Sequence, residues 1–242
     1  MKRFILICTT LTMVGISPIA GHGDVPPASE IFYFQGVPGR WLDLCIDGIE
    51  LGTAVEFRSM VHMVTLPSSS MKHRYKLRES ARGACDGDIV DEGWFYAFGG
   101  DQVIVVAHQW RDGTPGSEPL WLPARPRVRR GETRFVIGHQ AAAPRLRLAV
   151  DGKRIDHLLL QNGGPSYLFK GYGDGEHTFT FRTNDTRERI VRRTLSMPQG
   201  VEFLFVIYGD PFTGYRIRVF SRTVGVRHTG VAHPSDPTIE VA

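Results

Sequence analysis

Leu42-Asp43-Leu44-Cys45-Ile46-Asp47-Gly48 and Leu146-Arg147-Leu148-Ala149-Val150-Asp151-Gly152 are the stretches whose reading decides the fold. In each, an apolar side chain stands at every second position and an Asp-Gly pair follows. Period two is the spacing of a β-strand with one buried face, and Asp-Gly is a tight-turn dipeptide. The two stretches lie 104 positions apart, and the same offset carries His73 onto His177, Tyr75 onto Phe179, Leu77 onto Phe181 and Arg78 onto Arg182. Further along the offset becomes 100, taking Gly100 to Gly200 and the run Val103 to Val106 onto Phe203 to Val206. Four extra residues between Glu79 and Gly99, at or near Cys85, account for the change.

An internal repeat decides architecture before any motif does. Tyr75 and Leu77, like Phe179 and Phe181, alternate with polar neighbours, and Tyr215, Ile217 and Val219 do the same near the end of the second copy. Phe203 to Ile207 is a continuous apolar run suited to a strand buried on both sides. Turn clusters such as Gly163-Gly164-Pro165 and Gly173-Asp174-Gly175 punctuate the strands, and no segment shows capped helical periodicity. The expectation is an all-β chain of two tandem immunoglobulin-like antiparallel β-sandwich domains of about seven strands each, following a signal peptide. The copies span residues 31–122 and 132–222. A proline-bearing linker, 123–131, joins them, and 223–242 form a tail with room for one short added strand.

The make-up, 42% hydrophobic and 22% charged, is that of a folded globular protein and excludes disorder and collagen-like repeats. Residues 1–23 read as a secretory signal: Lys2 and Arg3 precede an apolar stretch from Phe4 towards Ile16, with small residues at Ala20, Gly21 and Gly23. Thr9, Thr10, Thr12 and Pro18 keep that stretch short of the ~20 apolar residues a spanning helix needs. No later segment is long and apolar enough to span, so the expected mature chain is periplasmic or secreted. Loss of Lys2 and Arg3 lowers the formal charge from +4 to +2, which selects no partner by bulk charge. Cys8 leaves with the signal. Cys45 and Cys85 then form an even pair in an oxidising compartment, and a disulfide between them is expected to contribute about 4 kcal/mol by loop closure.

The second copy resembles a bacterial cell-envelope family, the domain-of-unknown-function family numbered 4397. The resemblance rests on Phe135-Val136-Ile137-Gly138-His139, Pro144, the strand into Val150-Asp151-Gly152, Ser166-Tyr167, Gly175 before His177-Thr178-Phe179, and Gly200 leading to Phe205-Val206-Ile207-Tyr208-Gly209-Asp210. It covers roughly residues 133 to 222, with a weaker match over 31 to 122. The first copy departs at Gln35, Met63 and Met71, which stand where the second has His139, Tyr167 and Gly175. The resemblance implies an immunoglobulin-like sandwich outside the cytoplasm and brings no catalytic residues with it. The chain is also similar in architecture to the periplasmic accessory protein of alginate acetylation, a signal followed by two small β domains, an analogy at the level of fold.

Chemistry is sparse. No Gly-x-Ser-x-Gly turn is present to hold a nucleophile, no His-Glu-x-x-His or Cys-x-x-Cys to hold a metal, and no Gly-rich phosphate loop between strand and helix. Catalytic, cofactor and metal sites are therefore all expected to be absent, as is nucleic-acid binding. His73 and His177 recur with their neighbours, which placement beside a turn explains. His228, His233 and Asp236 offer at most a weak site in the tail.

Two basic clusters, Arg125, Arg127, Arg129 and Arg130 at the junction and Arg187, Arg189, Arg192 and Arg193 in the second copy, are of a kind that grips anionic polymers, although Glu132, Asp185 and Glu188 interrupt them. The four tryptophans, Trp41, Trp94, Trp110 and Trp121, all lie in the first copy, and none recurs in the second. Aromatic platforms stack on sugars and anchor interfaces, so Trp94, Trp110 and Trp121 with the junction arginines are the candidate contact surface. Trp41, opening an alternating strand, reads as core, and Trp94, beside the insertion, as exposed. The leading expectation is a non-catalytic exported module that binds another envelope protein or a surface polysaccharide. The alternatives are an accessory subunit of periplasmic exopolysaccharide acetylation or export, and an unrecognised hydrolase.

Overall fold

The structure, a computed structural model, describes residues 28–66, 72–80, 85–124, 133–163, 165–170, 172, 175–198, 200–223 and 239–241. The expected signal, the junction arginines Arg125, Arg127, Arg129 and Arg130, and the tail histidines lie outside these. The described residues form strands and turns with no helix. Eight strands come from the first half: β1 (Ser29–Gln35), β2 (Leu42–Ile46), β3 (Ile49–Val55), β4 (Met60–Leu66), β5 (Lys72–Glu79), β6 (Ile89–Tyr96), β7 (Gln102–Gln109) and β8 (Pro115–Leu122). Nine follow: β9 (Thr133–His139), β10 (Leu146–Val150), β11 (Lys153–Leu160), β12 (Pro165–Lys170), β13 (Glu176–Thr183), β14 (Arg189–Ser196), β15 (Val201–Tyr208), β16 (Arg216–Thr223) and β17 (Ile239–Val241). Each half thus supplies at least eight strands rather than about seven, and β17 is the short strand that the tail adds, pairing with β16.

In the first half, sheet β4-β1-β7-β8 packs on sheet β3-β2-β5-β6; in the second, β12-β9-β15-β16-β17 packs on β11-β10-β13-β14. Ile31, Leu42, Leu44, Leu77, Val103 and Val105 fill the space between the first two sheets. Phe135, Leu146, Leu148, Phe179, Phe181 and Phe205 fill it between the second two. Pairing is antiparallel except that β1 runs parallel to β7 and β9 parallel to β15. The registers correspond in most pairs, except that a shift after Ile31 sets Phe32 opposite His62 while Val136 stays opposite Tyr167, and Leu42 faces Val55 while Leu146 faces Leu160. Ile46 faces Tyr75 as Val150 faces Phe179, and Ile31 faces Val103 as Phe135 faces Phe203, at the offsets 104 and 100. Ten residues separate Arg78 from its partner Ile89, whereas six separate Arg182 from Arg189, so the four-residue insertion is the longer β5–β6 loop.

The two sandwiches meet through β1-β7-β8 and β9-β15-β16, which leaves four layers of sheet. Phe32, Phe34, Ile104, Val106, Leu120, Val136, Leu204, Val206 and Phe220 make one core cluster across this seam. Strands β1, β7, β9 and β15 are accordingly buried on both faces, the condition that a continuous apolar run satisfies. Phe34 and Phe220 meet edge to face at 6.1 Å. Their counterparts are Gly138 and Leu120, and a Cβ on Gly138 would come within 2.8 Å of Leu120 Cδ1, so close approach of the strands there depends on glycine. At one end of the seam Glu202 holds both Arg134, at 2.7 Å, and Arg222. Arg222 also donates to Gln102 and to the carbonyls of Leu122 and Pro123.

Candidate functional site

The outward face of β3-β2-β5-β6 is the surface on which aromatic and charged side chains converge. Because His73, Tyr75 and Leu77 point inward opposite Phe95, Gly93 and Asp91, the intervening positions point out, and pairing sets Lys72 opposite Tyr96 and Arg74 opposite Trp94. Trp94 and Tyr96, two residues apart on the edge strand, therefore share a face, and they are 53% and 54% exposed. Lys72 Nζ lies 4.4 Å from the centroid of the Trp94 ring and Arg74 Cζ 5.6 Å. Arg74 is also paired with Glu92 at 2.7 Å, so the aromatic pair sits among charges of both signs.

The other end of this face is covered. Cys45 points outward from β2 yet is only 2% exposed, because it is bonded to Cys85 in the β5–β6 loop. Arg78 donates to the Gly87 carbonyl of that loop, and Ser80 donates to Asp43 beneath it. The disulfide is thus a strap across one half of the sheet face, and it leaves the Trp94–Tyr96 half open. It also explains why β2 is buried at every position whereas β10, with Ala149 in place of Cys45, keeps its alternation.

The other candidate residues are placed apart from this patch. Trp110 follows β7 and is wedged between sandwiches: a Cβ on Gly116 would come within 2.3 Å of its Nε1, and one on Gly163 within 2.3 Å of its Cη2. Its ring also meets His108 edge-on at 4.5 Å. Trp121 on β8 donates its indole N–H to Asp101 at 2.8 Å. Both are partly exposed but serve packing and hydrogen bonding, so the three tryptophans do not form one surface. Trp41 is a correction. It is 53% exposed rather than core, because Leu42, Leu44 and Ile46 take the inward positions and Trp41 precedes them on the outward parity. Tyr96 is not among the candidate residues of the sequence, although its two-residue spacing from Trp94 is a legible signal. Nor is Phe212, 98% exposed in the β15–β16 turn, which no periodicity announces.

His73 and His177 sit in equivalent hydrogen-bonded turns. The Nδ1 of each lies 2.7 Å from the carboxylate of Asp47 or Asp151, whose other oxygen accepts the backbone N–H of Arg74 or Thr178. Both aspartates adopt positive φ, 51° and 49°, and each is followed by a glycine that does the same, so the carboxylate ties the hairpin turn to the neighbouring strand. These bonds draw the Asp151 carboxyl below its ordinary range, the Thr178 N–H foremost and then His177. His73 Nε2 is buried without a hydrogen bond, and its ring lies 5.3 Å from Phe95, so no nucleophile is engaged there. Among the described residues no group of three His, Cys, Asp or Glu side chains is placed to hold a metal ion. No described helix is long and apolar enough to cross a membrane.

Fold and surface together define an all-β chain of stacked sandwiches with an aromatic patch on an outer sheet. No protein-family model matches the chain, and no curated protein matches it. It is similar to a solved structure described as alpha-glucan recognition by family 41 carbohydrate-binding modules from streptococcal virulence factors. That match has a TM-score of 0.24 and 9% identity, covering 75% of this chain and 93% of the other, a likeness too small to carry an argument about function.

Proposed function

We propose that the chain is a non-catalytic, exported cell-envelope module that binds polysaccharide through the open half of the β3-β2-β5-β6 face. The observation that carries this is the pair Trp94 and Tyr96, each more than half exposed and two residues apart on the outward face of an edge strand, with Lys72 and Arg74 beside them. Flat aromatic rings offer apolar area to the C–H faces of sugars at little conformational cost, and neighbouring cations supply donors to hydroxyl and carboxylate oxygens. The disulfide between Cys45 and Cys85 supports the exported placement, since such bonds persist in oxidising compartments. The signal at residues 1–23, the division into two tandem domains and membership of family 4397 belong to the same reading.

Native gel electrophoresis of the mature chain through gels cast with dextran, hydroxyethylcellulose or polygalacturonate tests it. Retardation by at least one polymer is expected, with Trp94→Ala weakening that binding about tenfold. Mobility that no polymer changes, or a Trp94→Ala variant retarded like the parent, overturns the binding site. Saturable hydrolysis of an ester or glycoside by purified protein overturns the non-catalytic reading.

A further inference from the structure

The outward face of β11-β10-β13-β14, equivalent to the face just described, carries a different chemistry. Leu146, Leu148, Val150, Phe179 and Phe181 point into the core, so Arg147, Ala149, Thr178, Thr180 and Arg182 point out. Pairing places Arg147 opposite Arg182 and Arg182 opposite Arg189, three arginines in one row across three strands. The next row is Arg154, Ala149, Thr180 and Arg192. Like charges set directly opposite one another on a sheet disfavour it, so folding alone gives no reason for such a row.

The first sandwich carries the opposite charge at three of these positions. Asp43, Glu50 and Glu92 occupy positions that align, at the same offsets and in the same registers, with Arg147, Arg154 and Arg192. Three acids on one face are thus three arginines on the other. The strap is missing too, since Ala149 stands where Cys45 stands and the β13–β14 loop is four residues shorter, so the arginine rows are open. Arg154 is paired with Asp156, and Arg147 donates to the neutral amide of Asn184. Among the described residues none of Arg147, Arg182, Arg189 and Arg192 has a carboxylate within 4.0 Å.

We infer that this face is a second binding site, one for a linear polyanionic glycan bearing carboxylates, lying across the three strands. Guanidinium groups pair bidentately with carboxylates, and strands about 4.8 Å apart present the arginines of a row at short, regular intervals to an extended chain. Thr178, Thr180 and Thr194 stand among the arginines with hydroxyls suited to sugar hydroxyls, and Thr178 and Thr194 already bond each other at 2.9 Å. The rows contain no aromatic ring to stack on bases and no large apolar side chain to enter a bilayer, which favours a glycan over a nucleic acid or a lipid surface. The choice of glycan rests on the polysaccharide reading above, while the site itself is separate from Trp94.

Titration calorimetry of the full mature chain with polygalacturonate, at low and at physiological salt, tests the site. Binding that weakens as salt rises is expected, and an Arg182→Gln/Arg192→Gln variant of unchanged melting temperature is expected to bind at least about tenfold more weakly. Two outcomes overturn the inference: parental affinity in that variant, or tighter binding of phosphatidylglycerol vesicles or single-stranded DNA than of polygalacturonate through the same arginines. Loss of polygalacturonate binding in the arginine variant, with Trp94→Ala binding every polymer like the parent, removes the Trp94 reading and keeps this one. Loss in Trp94→Ala alone does the reverse.

Discussion

Glu202 is 1% exposed and sits between two guanidinium groups, Arg134 on β9 and Arg222 on β16, the latter reaching across to Gln102 and to the carbonyls of Leu122 and Pro123. A buried carboxylate that loses its place leaves two arginines without compensation, a cost of about 3 to 5 kcal/mol. Glu202→Ala is therefore expected to lower the unfolding free energy by roughly that amount in urea denaturation; a loss below about 1 kcal/mol would show that the network is neutral. Nothing local announces this residue. Phe203 to Ile207 reads as doubly buried from composition alone, but the partners of Glu202 lie 68 and 20 positions away, at Arg134 and Arg222, and only the register of β9, β15 and β16 brings them together. Trp41 shows the same limit in reverse. Its apolar character says core, but strand parity turns it to solvent.

Strand β2 shows what a cross-link does to an element. Its alternation, apolar at Leu42, Leu44 and Ile46, is as plain as that of β10, yet both of its faces are buried, because the β5–β6 loop is drawn over Asp43 and Cys45 by the bond to Cys85. The pairing was readable from compartment and count; where the loop lies was not, since the four-residue insertion could be assigned only to an interval. Replacing Cys45 and Cys85 with serine is expected to lower stability by about 4 kcal/mol at most, less where the reduced chain retains structure. It should also uncover the outward face of β2, so amide exchange at Asp43 and at position 45 would quicken while that at Arg147 and Ala149 stays as it was. Equal acceleration in both sandwiches would mean that the bridge is not a local strap.

Stacking four sheets buries polar groups that a single sandwich would leave wet. His108 and His139 are fully buried, and burial holds each imidazole down to about 4. In the unfolded chain both take up a proton near pH 6.5, whereas in the folded chain both stay neutral down to about pH 4. Stability is therefore complete above 6.5 and lost as pH falls through that window, by about 3 kcal/mol per histidine at full extent. Glu118 acts in the opposite sense: burial, and then the nearby Asp91, push its carboxyl up to about 7, so its contribution is present at low pH and lost as pH rises from 4.5 towards 7. Two histidines outweigh one half-buried carboxyl. Urea denaturation is expected to show stability climbing between pH 4.5 and 6.5, more steeply in Glu118→Gln. A flat profile would mean that the imidazoles are not held neutral.

The sequence by itself determined strand type, the Asp-Gly turns, the corresponding order of strands in the two halves and the choice of cysteines, because each follows from side-chain period or from counting. Tertiary structure alone decided which sheet faces meet, since β1, β7, β9 and β15 become doubly buried only when the two sandwiches close on one another. It also decided which surfaces stay open. Trp94 with Tyr96, and Arg147 with Arg182 and Arg189, are brought together by register between strands distant in sequence, and no local pattern encodes a register that long-range pairing sets.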